Sequence, residues 1–285
     1  MIIPKIGSPD WYNQKFEMQH HIPNIYGDGI GQVSTWNAWI ANRTHDKRAE
    51  VVSTISTLSY GNEEAKNPRN LFKRLVKLGH LSTLEFVQMA DDENFIYGSL
   101  RHHPYELTLD DHLEDVALKC ESYVYENTAV MKIKCPIFIA RQFMRHRQFS
   151  YLELSRRYVP ARKVKFEFFN PENDARKAFY HEMCVAEYLR RLEEGEKPED
   201  ARGAIPQEAY TEFFVGMDVN GFANFCNLRF DAHAQGWIRI LTEQMMNSLQ
   251  IVQPEFVRNV KDAMVELKEN SESLYNKVVP KEWQE

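Results

Sequence analysis

The chain has 285 residues and a net charge of −6, with 43% apolar and 27% charged content, the balance of an ordinary water-soluble fold. That acidity argues against a general nucleic-acid coat protein, and no apolar run approaches eighteen residues, so no membrane span is expected. Cys120, Cys135, Cys184 and Cys226 lie far apart with no CxxC pair, and MIIPKIGSPDW lacks a secretory pattern, so the expectation is a cytoplasmic protein with no metal site and no disulfide framework.

The first 35 residues, rich in Gly, Pro, Asn and His, read as irregular structure. Trp36 to Leu58 has helical spacing. Asn67 to Leu78 reads as a clearer helix, with Pro68 near its start, Leu71, Leu75 and Leu78 on one face, and Gly79 as a stop. Leu84–Met89 and Ser122–Lys134 read as strands, with a polar, acidic stretch between them and an inserted helix around Asp110–Leu118.

Pro136 suits the first turn of a helix PIFIARQFMRHR, which puts Arg141 and Arg145 one turn apart on one face. Val164–Phe169 is a short strand candidate. Residues 173–196 read as a long amphipathic helix, Pro198–Ala204 as a short one, and Ala209–Met217 as a weakly alternating strand. Helical patterns follow at 221–229, 233–251, 254–267 and 270–278. No repeat or Gly/Ser linker marks a boundary. The expectation is one α+β domain over 1–285, a central mostly antiparallel sheet flanked by helices with a helical C-terminal part.

RQFMRHRQFSYLELSRRY carries the strongest chemical signal. Arg141, Arg145, Arg147, Arg156 and Arg157 fall within it, and Glu153 is the sole carboxylate from Arg141 to Lys165. Like charges this dense repel unless an anion or buried carboxylates compensate, and guanidinium suits a bidentate grip on phosphate. The bland alternative is a solvated basic helix face or a set of internal salt bridges. Ser150 and Ser155 interleave hydroxyl donors, Glu153 suits a sugar hydroxyl or an Arg partner, and Phe149, Tyr151, Leu152 and Leu154 would pack the segment against a core. A second constellation, Asn224 to His233, gathers Asn, Arg, Asp and His near a helix junction. Its bland reading is capping by Asp231; its functional one is a base- or cofactor-reading site. His80, after a helix end, is by itself more often structural than catalytic. GxGxxG after a strand, GxxxxGK[ST], GxSxG and HExxH are all missing.

Arg145-His146-Arg147, seven residues, Ser155, one residue and Arg157 spell RHR-x7-S-x-R, which resembles the signature of the flavin-dependent thymidylate synthases. GHLSTLEF, KCPIFIARQFMRHR and NFCNLRFDAHAQ resemble further family segments, in the family's order. The resemblance covers about 63–265. It leaves outside an N-terminal extension, about 1–60, and an insertion, about 91–121. It implies methylation of dUMP to dTMP, with methylenetetrahydrofolate as carbon donor, FAD as hydride source and NADPH as reductant. It also implies a homotetramer with FAD at subunit interfaces, and neither nucleic acid nor membrane as partner.

By position, the resemblance assigns Gln142, Arg145, Ser155, Arg157, Arg202 and Arg229 to dUMP, with Glu153, Leu154 and Arg156 in the same substrate-binding stretch. Arg229 would activate the pyrimidine, its orientation held by Asn227 and Asp231, and His80 would lie near flavin and folate. Ser82, Arg145, His146, Arg147, Glu153, Asn224 and His233 would contact FAD. Asp218 and Asn220 also fall at cofactor positions, where the family commonly has Asn and Arg. Leu152 stands where Asn is usual, Arg156 where a small residue is, and Thr83-Leu84 replaces a Thr/Ser-Pro-Phe pattern. Two other readings stand beside this one: a family member acting on another pyrimidine nucleotide, and a non-catalytic nucleic-acid-binding protein using the same basic stretch.

Overall fold

The computed structural model describes residues 32–36, 53, 55–58, 66–86, 88–90, 96–99, 127–157 and 166–278. The architecture is α+β. Its sheet has four antiparallel strands: β1 (Gln32–Trp36), β4 (Thr128–Pro136), β5 (Ser150–Glu153) and β6 (Tyr210–Asp218), in spatial order β1-β4-β6-β5. A separate antiparallel pair joins β2 (Gln88–Ala90) to β3 (Ile96–Ser99). The helices are α1 (Pro68–Lys77), α2 (Ile137–Phe143), α3 (Ala175–Glu193), α4 (Pro198–Ala201), α5 (Val219–Arg229), α6 (Gly236–Val252) and α7 (Pro254–Val278).

Period-two alternation assigns the two faces of the sheet. Ala129, Met131, Ile133 and Cys135 of β4 share one face with Phe213, Val215 and Met217 of β6. There they meet Phe143 of α2, Phe222 and Phe225 of α5, Leu241 and Met245 of α6, and Phe256 and Val260 of α7. Val130 and Phe214 point the other way, into a smaller cluster with Ile55, Leu58 and Phe86, flanked by Leu152 and Leu154. β6 is therefore covered on both sides and almost continuously buried, which is why its sequence alternates so weakly. Gly216 of β6 is a close approach: a Cβ there would sit 3.2 Å from Cδ1 of Phe86.

Several elements differ from expectation. Gln32–Trp36 is not irregular but an edge strand paired with β4 from Gln32↔Lys134 to Trp36↔Val130. Its Val, Thr and Trp are good strand residues, and the Gly- and Pro-rich flanks hid them. Trp36 thus belongs to β1, and only Ser53 and 55–58 of the expected Trp36–Leu58 helix fall within the described residues. The expected strand Leu84–Met89 is mostly a 3-10 helix, Leu81–Phe86, with β2 beginning at Gln88. β3 lies inside the expected insertion and was not anticipated. The expected helix at Asp110–Leu118 lies outside the described residues, while the strand expected over Ser122–Lys134 is observed as Thr128–Pro136. Of Val164–Phe169 only 166–169 are described, and they make a single bridge, Phe168↔Ala209.

The helix expected to run through Arg145 stops at Phe143. Met144 caps it, and Arg145 enters a turn, so Arg141 and Arg145 do not share a helix face. After the turn, Ser150–Glu153 pairs with β6 as a strand. The two expected C-terminal helices, 254–267 and 270–278, are one: Ser271 Oγ donates to the Leu267 carbonyl at 2.8 Å, so the polar break at Asn270-Ser271 is absorbed within α7.

α1 follows its sequence signals closely. Asn67 caps it through Oδ1 to the N–H of Asn70, and Pro68 opens it. Gly79, at φ 71°, closes it with paired bonds from Gly79 N to Val76 O and from His80 N to Leu75 O.

Candidate active site

The RHR segment is a tight turn between α2 and β5. His146 donates its backbone N–H to Phe143 O at 2.9 Å, and Tyr151 Oη donates to the carbonyls of Phe143 and His146, pinning the turn from the strand side. The His146 ring is buried, stacked on Phe149 and edge-on to Phe225. Arg145 and Arg147, on either side, are exposed.

Arg229 is the last residue of α5, and it turns back to this structure. Its Nε and Nη2 lie 3.0 and 2.8 Å from His146 Nε2, and Nη2 also donates to Gln142 O at 3.2 Å. Because guanidinium only donates, Nε2 is an acceptor and the neutral imidazole carries its proton on Nδ1. Burial first, and then the Arg229 charge, lower the His146 pKa to about 4. Burial and the neighbouring Arg145 charge lower that of Arg229. The partners are not those expected. Asn227 donates to Met264 O and so ties α5 to α7, while Asp231 accepts from the backbone N–H and Nδ1 of His233. Asp231 closes that turn and does not cap α6, whose N-cap is Gln235.

The second half of the motif runs along β5 and its exit. Glu153 accepts from Thr211 Oγ1 at 2.7 Å. Its carboxyl pKa is raised by burial, against the pull of that bond and of Arg156, Arg202 and Arg141. Leu154 donates its N–H to Glu212 O, and with Leu152 its side chain packs on the smaller cluster, which accounts for an apolar residue at 152. Arg156 is committed to the protein: Nη2 donates to Tyr210 O and the guanidinium lies 4.8 Å above the Phe166 ring. Ser155 Oγ accepts from Arg157 N at 3.4 Å. Arg157 and Arg202 both reach Glu199, the first to its carboxylate at 3.1 Å and the second to its carbonyl at 3.0 Å.

The remaining candidates are spread out. Gln142 bonds through its amide to Gln235, and Asn224 reaches Gln148 at 3.5 Å. Asp218 caps α5 through the N–H of Gly221 at 2.6 Å, so its carboxylate is offset by the helix N-terminus; Asn220 is exposed on the first turn. Gly221 has little room for a side chain, since a Cβ would lie 3.1 Å from Asp218 Oδ1 and 3.3 Å from Phe149 Cε1. The His233 side chain is 97% exposed. His80 and Ser82 are exposed, and the segment bearing them is anchored by Phe86 on the sheet face opposite α5. The chain therefore brings together Gln142, His146 and Arg229, and separately Glu153, Arg156, Arg157 and Arg202. It does not bring His80 or Ser82 to Arg229. Sequence reasoning missed Thr211 and Glu199, the latter three residues before Arg202, and took Tyr151 only as a packing residue. Cys135 and Cys226 are both buried with thiol pKa values pushed up, foremost by burial, so neither is a poised nucleophile.

The family described as thymidylate synthase complementing protein matches residues 115–255. Similar proteins include a flavin-dependent thymidylate synthase of Thermotoga neapolitana, 36% identical over 116 residues that cover 36% of this chain and 52% of that protein. Another, from Treponema denticola, is 29% identical over 181 residues that cover 53% and 67%. The chain spans about half the length of the first relatives it matches. A solved structure, a UMP/dUMP methylase PolB from Streptomyces cacaoi bound with 5-Br UMP, aligns over 82% of this chain and 96% of that one, with a TM-score of 0.43 and 17% identity; nothing further follows from a likeness of that size. The matched region, 141 of the chain's 285 residues, holds the turn, β5, β6, α5 and α6, and over that region the chain resembles the thymidylate synthase complementing protein family.

Proposed function

We propose that the chain is a flavin-dependent thymidylate synthase, converting dUMP to dTMP with methylenetetrahydrofolate as carbon donor. The observation that carries this reading is the anchoring of Arg229 on neutral His146, beside an arginine-rich edge whose carboxylates are already engaged. FAD fits the charge pattern. Arg145 acts on Arg229 as a like charge. An anion placed between the two guanidiniums would relieve that repulsion. Bound FAD, reduced by NADPH, would supply the hydride.

The protein's own part is binding and electrostatics. Arg157, Ser155 and Arg202 hold the nucleotide phosphate by charge-assisted bonds. Glu153, steadied by Thr211, accepts from a ligand hydroxyl or orders the arginines around it. Arg229, fixed in one orientation, lies beside the uracil ring and stabilises negative charge as the fifth carbon turns nucleophilic. Gln142 adds a polar contact to the nucleotide, and Arg145, His146, Arg147 and Asn224 form the flavin side. Because His80, Ser82 and Arg229 belong to opposite sides of the sheet, a site using all three draws on more than one copy, as in a homotetramer. Titrating the purified protein with FAD and dUMP together tests the reading. Flavin absorbance retained on the protein and perturbed by dUMP is the expected result; no bound flavin at micromolar FAD contradicts it.

A further inference from the structure

Glu199 engages both arginines of the candidate phosphate site. Its Oε2 accepts from Arg157 Nη2 at 3.1 Å and from Arg157 Nε at 3.3 Å. Its carbonyl accepts from Arg202 Nε at 3.0 Å. Pro198 opens α4, so Glu199 and Arg202 fall three residues apart and share a side of that turn. One oxygen set between Nε and Nη2 is the contact a phosphate oxygen makes with guanidinium. The nearby alternative acceptor, Glu153, is buried against Thr211 on β6 and is not bonded to Arg157. The Arg157–Glu199 pair is well exposed, 47% and 39% by side chain, so an incoming ligand can reach it.

We propose that Glu199 is an internal stand-in for the nucleotide phosphate: ligand binding exchanges a carboxylate for a phosphate on Arg157, and this exchange tunes which anions bind. The inference rests on the nucleotide reading above and deepens it. A phosphate dianion, with more charge and more acceptor oxygens, displaces the carboxylate; an unphosphorylated nucleoside has nothing to exchange. Exposed ion pairs are weak, so the competition is modest, on the order of two- to fivefold in affinity.

The test is a calorimetric titration of FAD-loaded, full-length protein with dUMP, and separately with inorganic phosphate. It compares wild type, Glu199→Gln, Arg157→Ala and the double variant. Glu199→Gln keeps the side-chain shape, and its site is exposed, so folding is preserved. The expected result is tighter binding of dUMP and of phosphate in Glu199→Gln, by about two- to fivefold, with no such gain when Arg157 is already Ala. If Arg157→Ala weakens dUMP while Glu199→Gln weakens it too or leaves it alone, Glu199 is a brace and the stand-in is overturned, the phosphate site surviving. An equal gain with and without Arg157 reduces the effect to net charge and also overturns it. An Arg157→Ala variant that binds dUMP like wild type overturns the phosphate site itself, and the stand-in with it.

Discussion

Arg229 and His146 lie 83 positions apart in the chain, yet Nε and Nη2 of the guanidinium converge on one imidazole nitrogen at 3.0 and 2.8 Å. The contact joins the end of α5 to the turn after α2. It needs His146 neutral, and burial between Phe149 and Phe225 keeps it neutral.

Arg229→Ala should lower dTMP formation by about 100-fold or more, the scale of removing one pre-organised donor. Bound FAD and NADPH oxidation should persist, since flavin reduction does not need an activated uracil. The three readouts are taken separately on one preparation. Turnover close to wild type removes Arg229 from the chemistry, and loss of FAD along with turnover makes it a structural residue.

His146 gives a signed pH dependence. Its folded pKa, about 4, lies below the usual 6.5, so the unfolded chain binds the extra proton between those values. Its contribution to stability is complete above pH 6.5 and is lost as pH falls toward 4. The whole shift corresponds to roughly 3 kcal/mol, and screening by the solvent that reaches the edge of the turn reduces that to about 1–2 kcal/mol. Urea denaturation at pH 4.5 and pH 7 should show a smaller pH difference for His146→Gln than for wild type. Identical pH slopes would falsify the assignment of the shift to His146.

Arg156→Gly should act on stability more than on nucleotide choice. The change leaves the Tyr210 carbonyl without this donor and strips the cation from the Phe166 face, a loss of about 2–3 kcal/mol. A melting-temperature drop with little change in dUMP affinity per folded molecule is the expected pair of observations. An unchanged melting temperature with altered preference among pyrimidine nucleotides would instead place Arg156 in the pocket.

Cysteine chemistry should be dispensable. Brief iodoacetamide treatment of the native protein should leave Cys135 and Cys226 unlabelled by peptide mass analysis, and Cys135→Ala should retain turnover per folded molecule. Labelling of either buried thiol in step with inactivation would restore a cysteine nucleophile as a candidate.

What could be read in advance followed from local chemistry. Asn67, Pro68 and Gly79 bound α1 because caps and a left-handed glycine act within one turn of chain. The RHR-x7-S-x-R spacing located the basic edge, because its residues lie within one turn, the strand β5 and its exit. The His146–Arg229 bond could not be read, because it depends on how α5 packs against α2. Nor could Thr211 as the partner of Glu153, which is fixed by β5–β6 register. β1 escaped notice because an edge strand of five residues owes its existence to β4 more than to its own pattern. Asn227 and Asp231, neighbours of Arg229 in sequence, are engaged elsewhere: Asn227 bonds across to α7, and Asp231, past the end of α5, closes its own turn on His233.

The most direct test of the central proposal is product formation by the FAD-loaded protein supplied with dUMP, methylenetetrahydrofolate and NADPH, resolved by chromatography against dTMP. The account predicts dTMP that depends on all three additions and on FAD, together with oxidation of NADPH. Bound FAD and bound dUMP with no methylated nucleotide would contradict it, and a methylated product from a different pyrimidine nucleotide alone would reassign the substrate.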